Sequence, residues 1–135
     1  MPFEKKITVV ANDLDELKHV NNVRYVQWIQ DISKEHWKAR APKKLQENTI
    51  WVVLTHYITY KKPAQLGDSI LIKTFIKESK GAISVRVVEM FNAKTNSLLL
   101  RSSTEWCLLN AKTQKPMRIS EDLKNVFIKP NSNTA

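Results

Sequence analysis

Cysteine occurs once in the 135 residues, as Cys107. No disulfide can form within the chain, and metal sites built on several cysteines are excluded. Glycine occurs only at Gly67 and Gly81, so the glycine-rich phosphate cradles G-x-x-x-x-G-K and G-x-G-x-x-G are absent, as is H-E-x-x-H. No stretch approaches the roughly 20 apolar residues of a membrane helix. The start, Met1-Pro2-Phe3-Glu4-Lys5-Lys6, lacks the apolar run of a signal peptide. These absences lead us to expect a cytoplasmic protein with no membrane partner. Acidic residues are also few, 13 against 22 basic ones, for a net charge of +9. The basic residues are scattered, as Lys5-Lys6, Lys43-Lys44, Lys61-Lys62 and singles. They form no stripe interleaved with aromatics, so we read them as a solvated surface and expect no nucleic-acid partner.

What is present suits one folded domain over residues 1–135, with 42% hydrophobic residues. Residues 4–11 are rich in β-branched side chains and read as a first strand. A polar loop, 12–21, follows. From Asn22 to about Arg40 the apolar spacing is helical. Tyr25, Trp28, Ile29, Ile32 and His36 share one face, while Asp31, Lys34 and Lys38 share the other. Asn21 is placed to cap this helix and Pro42 to stop it. Residues 43–48 read as a polar connection. Strands are expected over 49–61, 69–77, 82–91 and 97–110, with turns at Gly67-Asp68, Lys80-Gly81 and 92–96. Ser120 can cap a short last helix, and the tail 129–135 is expected to fray. The order is one strand, one long helix and then four strands in hairpin succession. That predicts an α+β fold, with a helix on one face of an antiparallel meander of about five strands. Such a sheet has open edges and an uncovered face that a second copy of the chain would cover.

Chemistry concentrates before the long helix, in Asp13-Leu14-Asp15-Glu16-Leu17-Lys18-His19-Val20-Asn21-Asn22. Ionisable side chains stand there beside free backbone N–H groups and the positive end of a helix dipole. Asp13 and Asp15, two residues apart, would point to one side of an extended segment, where like charges raise the basicity of one carboxylate. Each aspartate alone also fits a cap or a solvated turn. His19 could orient water, donate to a carbonyl oxygen or pack. A backbone N–H at Asn22 or Val23 could stabilise an oxyanion. These parts suit acyl transfer or hydrolysis without a metal. Cys107 reads as a buried thiol, His36 and His56 as packing residues, and most of Tyr25, Trp28, Trp51, Tyr57 and Trp106 as core. Ser102, Ser103 and Thr104 have no histidine near them in sequence to make a triad.

The stretch from Asp13 through His19-Val20-Asn21-Asn22 to Tyr25 and Trp28 resembles the signature of hotdog-fold acyl-CoA thioesterases of the 4-hydroxybenzoyl-CoA thioesterase type. It is also similar to the related segment of plant acyl-ACP thioesterases. The resemblance continues through Ile58-Thr59-Tyr60-Lys61-Lys62-Pro63, Leu66-Gly67-Asp68, Glu105-Trp106 and Lys115-Pro116-Met117-Arg118-Ile119, and so covers nearly the whole chain. It implies a hotdog fold, a long helix wrapped by a curved antiparallel sheet, with two subunits joined edge to edge as a homodimer or a dimer of dimers. It implies an acyl-CoA substrate bound at the subunit interface and no cofactor. Asp15 takes the place of the catalytic aspartate, with His19 beside it, and the backbone at Asn22 that of the oxyanion donor. Tyr25, Lys61 and Lys62 are the candidate substrate-binding residues. Lys18 stands where many relatives have glycine. Leu17 and Pro63 replace the asparagine and glutamate of the plant enzymes, which favours an acyl-CoA over an acyl-ACP substrate. The competing reading is a non-catalytic acyl-CoA or lipid-binding module, in which both aspartates only hold the loop.

Overall fold

The computed structural model describes residues 2–128; the expected frayed tail lies outside them. The long helix α1 spans Asn22–Arg40, as its apolar spacing predicts. Asn21 is extended and its side-chain oxygen accepts the Val23 N–H at 2.9 Å, satisfying one orphan donor of the first turn. Lys38 and Arg40 complement the dipole in the last turn. Ala41 leaves the helix in extended conformation, as the residue before a proline must. The face carrying Tyr25, Trp28, Ile29, Ile32 and His36 is buried, with Ile29 and Ile32 fully so. Truncating either isoleucine to alanine would cost about 2–5 kcal/mol.

Five strands form one antiparallel sheet: β1 (Phe3–Thr8), β2 (Thr49–Tyr60), β3 (Ser69–Lys80), β4 (Ile83–Asn92) and β5 (Leu98–Asn110). Their order is β1-β3-β4-β5-β2. Only β3, β4 and β5 form a meander. The expected hairpin between β2 and β3 does not exist, because β2 pairs with β5 at the far edge. Helix α1 therefore connects the two opposite edges of the sheet. Segment 61–68 must then carry the chain back from one edge to the other side of the sheet. It passes over the start of α1, where Ala64 accepts the Val20 N–H at 3.1 Å and donates its own N–H to the Tyr25 hydroxyl at 3.0 Å.

Two cores lie along the helix. The larger joins Tyr25, Trp28, Ile29 and Ile32 to residues of every strand, among them Ile7, Ile58, Ile72, Met90 and Leu100. The smaller gathers Trp37, Trp51, Ile76 and Leu108 under Leu123 and Phe127 of the last helix, α3 (Glu121–Ile128). Ser120 caps α3 through the Leu123 N–H, as expected. Bulges interrupt β2 between Val53 and Thr55, and β3 between Ile76 and Glu78. Two further expectations fail. Residues 43–48 are not a plain connection but a short helix, α2 (Lys43–Asn48), because Pro42 serves as its N-terminal cap residue and leaves no N–H to satisfy. His56 does not pack: it is exposed on β2, its Nδ1 2.8 Å from Thr104 Oγ1. Of the five aromatic residues read mostly as core, Tyr57 is the exposed one, at 74%. The Cys107 thiol is buried, as expected. Among the described residues, no helix is long and apolar enough to cross a membrane.

Candidate active site at the start of the long helix

Residues 14–20 form a small closed loop. Leu14 and Val20 bridge its base. The Asp15 N–H donates to the His19 carbonyl at 2.8 Å, and the Lys18 N–H to the Asp15 carbonyl at 3.1 Å. The Asp15 carboxylate holds the loop from inside. Its Oδ1 accepts the Leu17 N–H at 2.9 Å and the His19 N–H at 3.2 Å. Closing so tight a turn places Lys18 at φ +62°, in the left-handed region. The backbone thus keeps a glycine-like conformation although the residue is lysine.

Asp13 does not share a side with Asp15, contrary to the expectation for an extended segment. Residues 11–13 are a turn of 3₁₀ helix, and Asp13 is buried at 6% exposure. One carboxylate oxygen accepts the Val10 N–H at 2.9 Å, and the other lies 2.9 Å from Arg24 Nε. This carboxylate ties the incoming strand to α1. The spacing of two aspartates could not reveal the division, because Arg24 meets Asp13 only once the loop has folded back.

A groove of about 450 Å³ opens beside the loop. Asp15, His19, Asn22, Tyr25, Lys61 and Lys62 all line it, with Val20, Tyr60 and Pro63. The six residues singled out in the sequence are therefore brought together, and the crossing segment 61–68 is what delivers the lysines. At its mouth Asp15, Lys61 and Lys62 are exposed, whereas Tyr25 is buried at its floor. Burial raises the Tyr25 hydroxyl above its ordinary pKa, against the pull of the Ala64 N–H, so it remains a protonated donor. Tyr60, its ring 5.8 Å from that of Tyr25, is raised by burial too. The sequence reading missed Tyr60 as a lining residue, although it stands next to Lys61 at the end of a strand. At the helix start the Val23 N–H is taken by Asn21 and those of Arg24 and Tyr25 by the Asn21 carbonyl. The Asn22 N–H has no partner among the described residues. Of the two backbone donors considered, Asn22 is the open one. Among the described residues no group of three or more His, Cys, Asp and Glu could hold a metal ion.

Comparison with known proteins bears on this arrangement. The family model for the acyl-ACP thioesterase N-terminal domain matches residues 1–127. A chloroplastic palmitoyl-acyl carrier protein thioesterase of Cuphea hookeriana is 25% identical over 119 residues, which is 88% of this chain and 27% of that protein. The chain thus spans about a quarter of the length of that plant relative. The long-chain acyl-CoA thioesterase FadM of Escherichia coli is 21% identical over 124 residues, covering 90% of this chain and 94% of that one. A hypothetical protein of Staphylococcus aureus, solved in complex with CoA, superposes with a TM-score of 0.83 at 16% identity, over 95% of this chain and 82% of that one. That likeness confirms the hotdog fold, the long helix against an antiparallel sheet. With the family model matching nearly its whole described length, the chain belongs to the acyl-ACP thioesterase N-terminal domain family.

Proposed function

We propose that the chain is a thioester hydrolase that cleaves an acyl-CoA to the free acid and CoA, with Asp15 as general base or nucleophile. The observation that carries this reading is the open Asn22 N–H, at the positive end of α1, in the same groove as Asp15. A thioester carbonyl seated on that N–H gains support as its oxygen turns anionic. Asp15 is preorganised, since Oδ1 is held by two N–H donors and Oδ2 faces no protein partner among the described residues. In the general-base route Oδ2 takes a proton from water, the water oxygen bonds to the carbonyl carbon, and the C–S bond breaks as the thiolate leaves and is protonated. In the nucleophilic route Oδ2 bonds to the carbon first, the C–S bond breaks as the thiolate leaves and is protonated, and water then cleaves the resulting anhydride to the free acid and the Asp15 carboxylate. His19, at the groove wall, orients the water or the carbonyl. Lys61 and Lys62 offer cations to the phosphates of CoA, and Tyr25 offers its hydroxyl proton to the acyl or pantetheine portion.

CoA is favoured over a carrier protein because the chain covers nearly all of a relative named an acyl-CoA thioesterase and only a quarter of the plant one. The CoA complex of the S. aureus protein, which shares the fold, points the same way. We place a second copy of the chain along β2. That edge strand exposes Leu54, Tyr57 and Tyr60, whereas the opposite edge, β1, carries Glu4, Lys5 and Lys6. The test is release of free thiol from acyl-CoAs of short, long and aromatic chain by the wild type and Asp15→Asn. Turnover by the wild type, reduced at least about 100-fold in the variant, is expected. Equal turnover by both would remove Asp15 from the chemistry. The bonds of Asp15 to Leu17 and His19 also suit a purely structural aspartate. Binding of acyl-CoA without turnover would establish that non-catalytic module instead.

A further inference from the structure

A second cavity, of about 180 Å³, lies between the far end of α1 and the sheet. Trp37, which lines it, is some 20 Å along the helix from Asn22 at 1.5 Å per residue. It therefore belongs to a different part of the molecule from the thioester groove. Its inner wall carries Arg86, only 3% exposed on the central part of β4. A guanidinium buried this deeply is normally matched by a carboxylate. Here no ion pair reaches Arg86 among the described residues. Nη1 spends its hydrogens on His36 Nδ1 and Thr74 Oγ1, each at 2.9 Å. Nε and Nη2 have no protein hydrogen bond among the described residues. The Phe127 ring, 5.1 Å from the guanidinium carbon, is the other compensation.

The same cavity holds further unused donors. Ser84 Oγ and the indole Nε1 groups of Trp51 and Trp106 are buried without partners among the described residues, and all three residues line the cavity. Ser84 is itself 3% exposed. Lys34 adds a second positive charge at the exposed mouth. The guanidinium, Lys34 and the two indoles donate and the hydroxyl of Ser84 does either, while the hydroxyls of Ser33 and Thr49, also in the lining, spend their protons on the Ile29 and Leu45 carbonyls. His36 does not alter the balance: burial, then the charges of Arg86 and Arg40, hold its pKa down to about 3, so it accepts from Arg86 as a neutral ring. The remaining surface is apolar, from Trp37, Trp51 and Trp106 with Ile76.

We propose that this cavity is a binding site for a small planar monocarboxylate, with the carboxylate on Arg86 and its flat apolar body among the tryptophans. The remaining edge of the guanidinium, Nε and Nη2, is a parallel pair of donors matched to two carboxylate oxygens. The indole N–H groups and Ser84 supply the acceptor's remaining bonds. The volume sets the size: a cavity of about 150 Å³ accommodates benzene, so a single aromatic ring or a short acyl acid fits and a long chain does not. Tetrahedral phosphate would satisfy the donors but leave the aromatic walls uncovered.

The test follows the indole N–H resonances of ¹⁵N-labelled full-length protein during titration with sodium benzoate, benzyl alcohol or inorganic phosphate. Phenylalanine replacements of Trp51 and Trp106 assign their signals. Saturable shifts of these two signals by benzoate are expected, unchanged in Asp15→Asn, with neither benzyl alcohol nor phosphate matching them. Arg86→Gln should weaken benzoate at least about tenfold, the loss of one charge-assisted pair. If Arg86→Gln fails to fold, Ser84→Ala and Trp106→Phe carry the comparison, each expected to weaken binding severalfold. The proposal is overturned if millimolar benzoate moves neither signal, if benzyl alcohol or phosphate binds as tightly, or if the shifts vanish in Asp15→Asn. It also falls if the folded variants bind as well as the wild type.

Discussion

Lys18 offers a quantitative probe of the loop that carries Asp15. At φ +62° a residue with a Cβ is strained by about 1–2 kcal/mol, and the exposed lysine side chain has no packing to set against this. Glycine removes the strain but makes the unfolded chain freer, which costs about 0.4–1 kcal/mol. Lys18→Gly should therefore stabilise the fold by about 0.5–1 kcal/mol, raising Tm by roughly 3 °C for a domain of this size. A β-branched residue is worse in this region than lysine, so Lys18→Val should cost about 1 kcal/mol. Urea melts of the three proteins, with equal m-values, would measure the series. Asn96, also at φ +62°, is the control, since asparagine tolerates this conformation and Asn96→Gly should change little. The reasoning fails if the glycine and valine variants at position 18 are equally stable. Thiol release by Lys18→Gly should match the wild type, because the Asp15–His19 backbone bond does not involve the lysine side chain.

Other outcomes follow from the same geometry. Asp13→Ala strands the Val10 N–H and Arg24 and should destabilise by about 2–3 kcal/mol in denaturant melts, with Asp13→Asn recovering part of this through the retained acceptor. His36 titrates near 3 when folded against 6.5 for the free side chain. The unfolded chain thus binds the extra proton first, and stability falls as pH drops from about 6.5 toward 3. His36→Gln should flatten that fall by about 4 kcal/mol relative to wild type when melts are run across the window. Parallel pH profiles for the two proteins would contradict it. Leu54→Asp with Tyr57→Asp should convert a dimer to monomer in sedimentation equilibrium, and an unaltered dimer would exclude β2 as the joining edge.

Local features of the chain were legible where periodicity and chemistry agreed. The bounds of α1, the Asn21 cap and the strand expected over 69–77 all follow from short-range patterns. Pairing was not legible, because adjacency in sequence favours a β2–β3 hairpin and nothing local signals that the chain crosses the helix start. The candidate site was legible as a motif, and the crossing segment explains why distant Lys61 and Lys62 reach it. The separate duty of Asp13 was hidden, since it depends on Arg24 and on the turn at 11–13. On β4 Ser84 and Arg86 alternate with Val85 and Val87, a pattern from which polarity alone would turn the arginine outward. The structure buries it.

The bulge at Val53–Thr55 has a consequence for how this strand tolerates change. Trp51 and Ile58 are an odd and an even position of one strand, yet both point to the helix side, one into each core. The extra residue at Leu54 resets the parity between them. Deleting Leu54 would regularise the ladder and leave both residues on the helix side, because six positions would then separate them on β2 as six separate their partners Leu108 and Ser102 on β5. Point replacements of this exposed leucine should be mild for the fold as well. At this position β2 carries a residue that neither the pairing nor the core requires, and natural variants of the domain should differ there in spacing as readily as in chemistry.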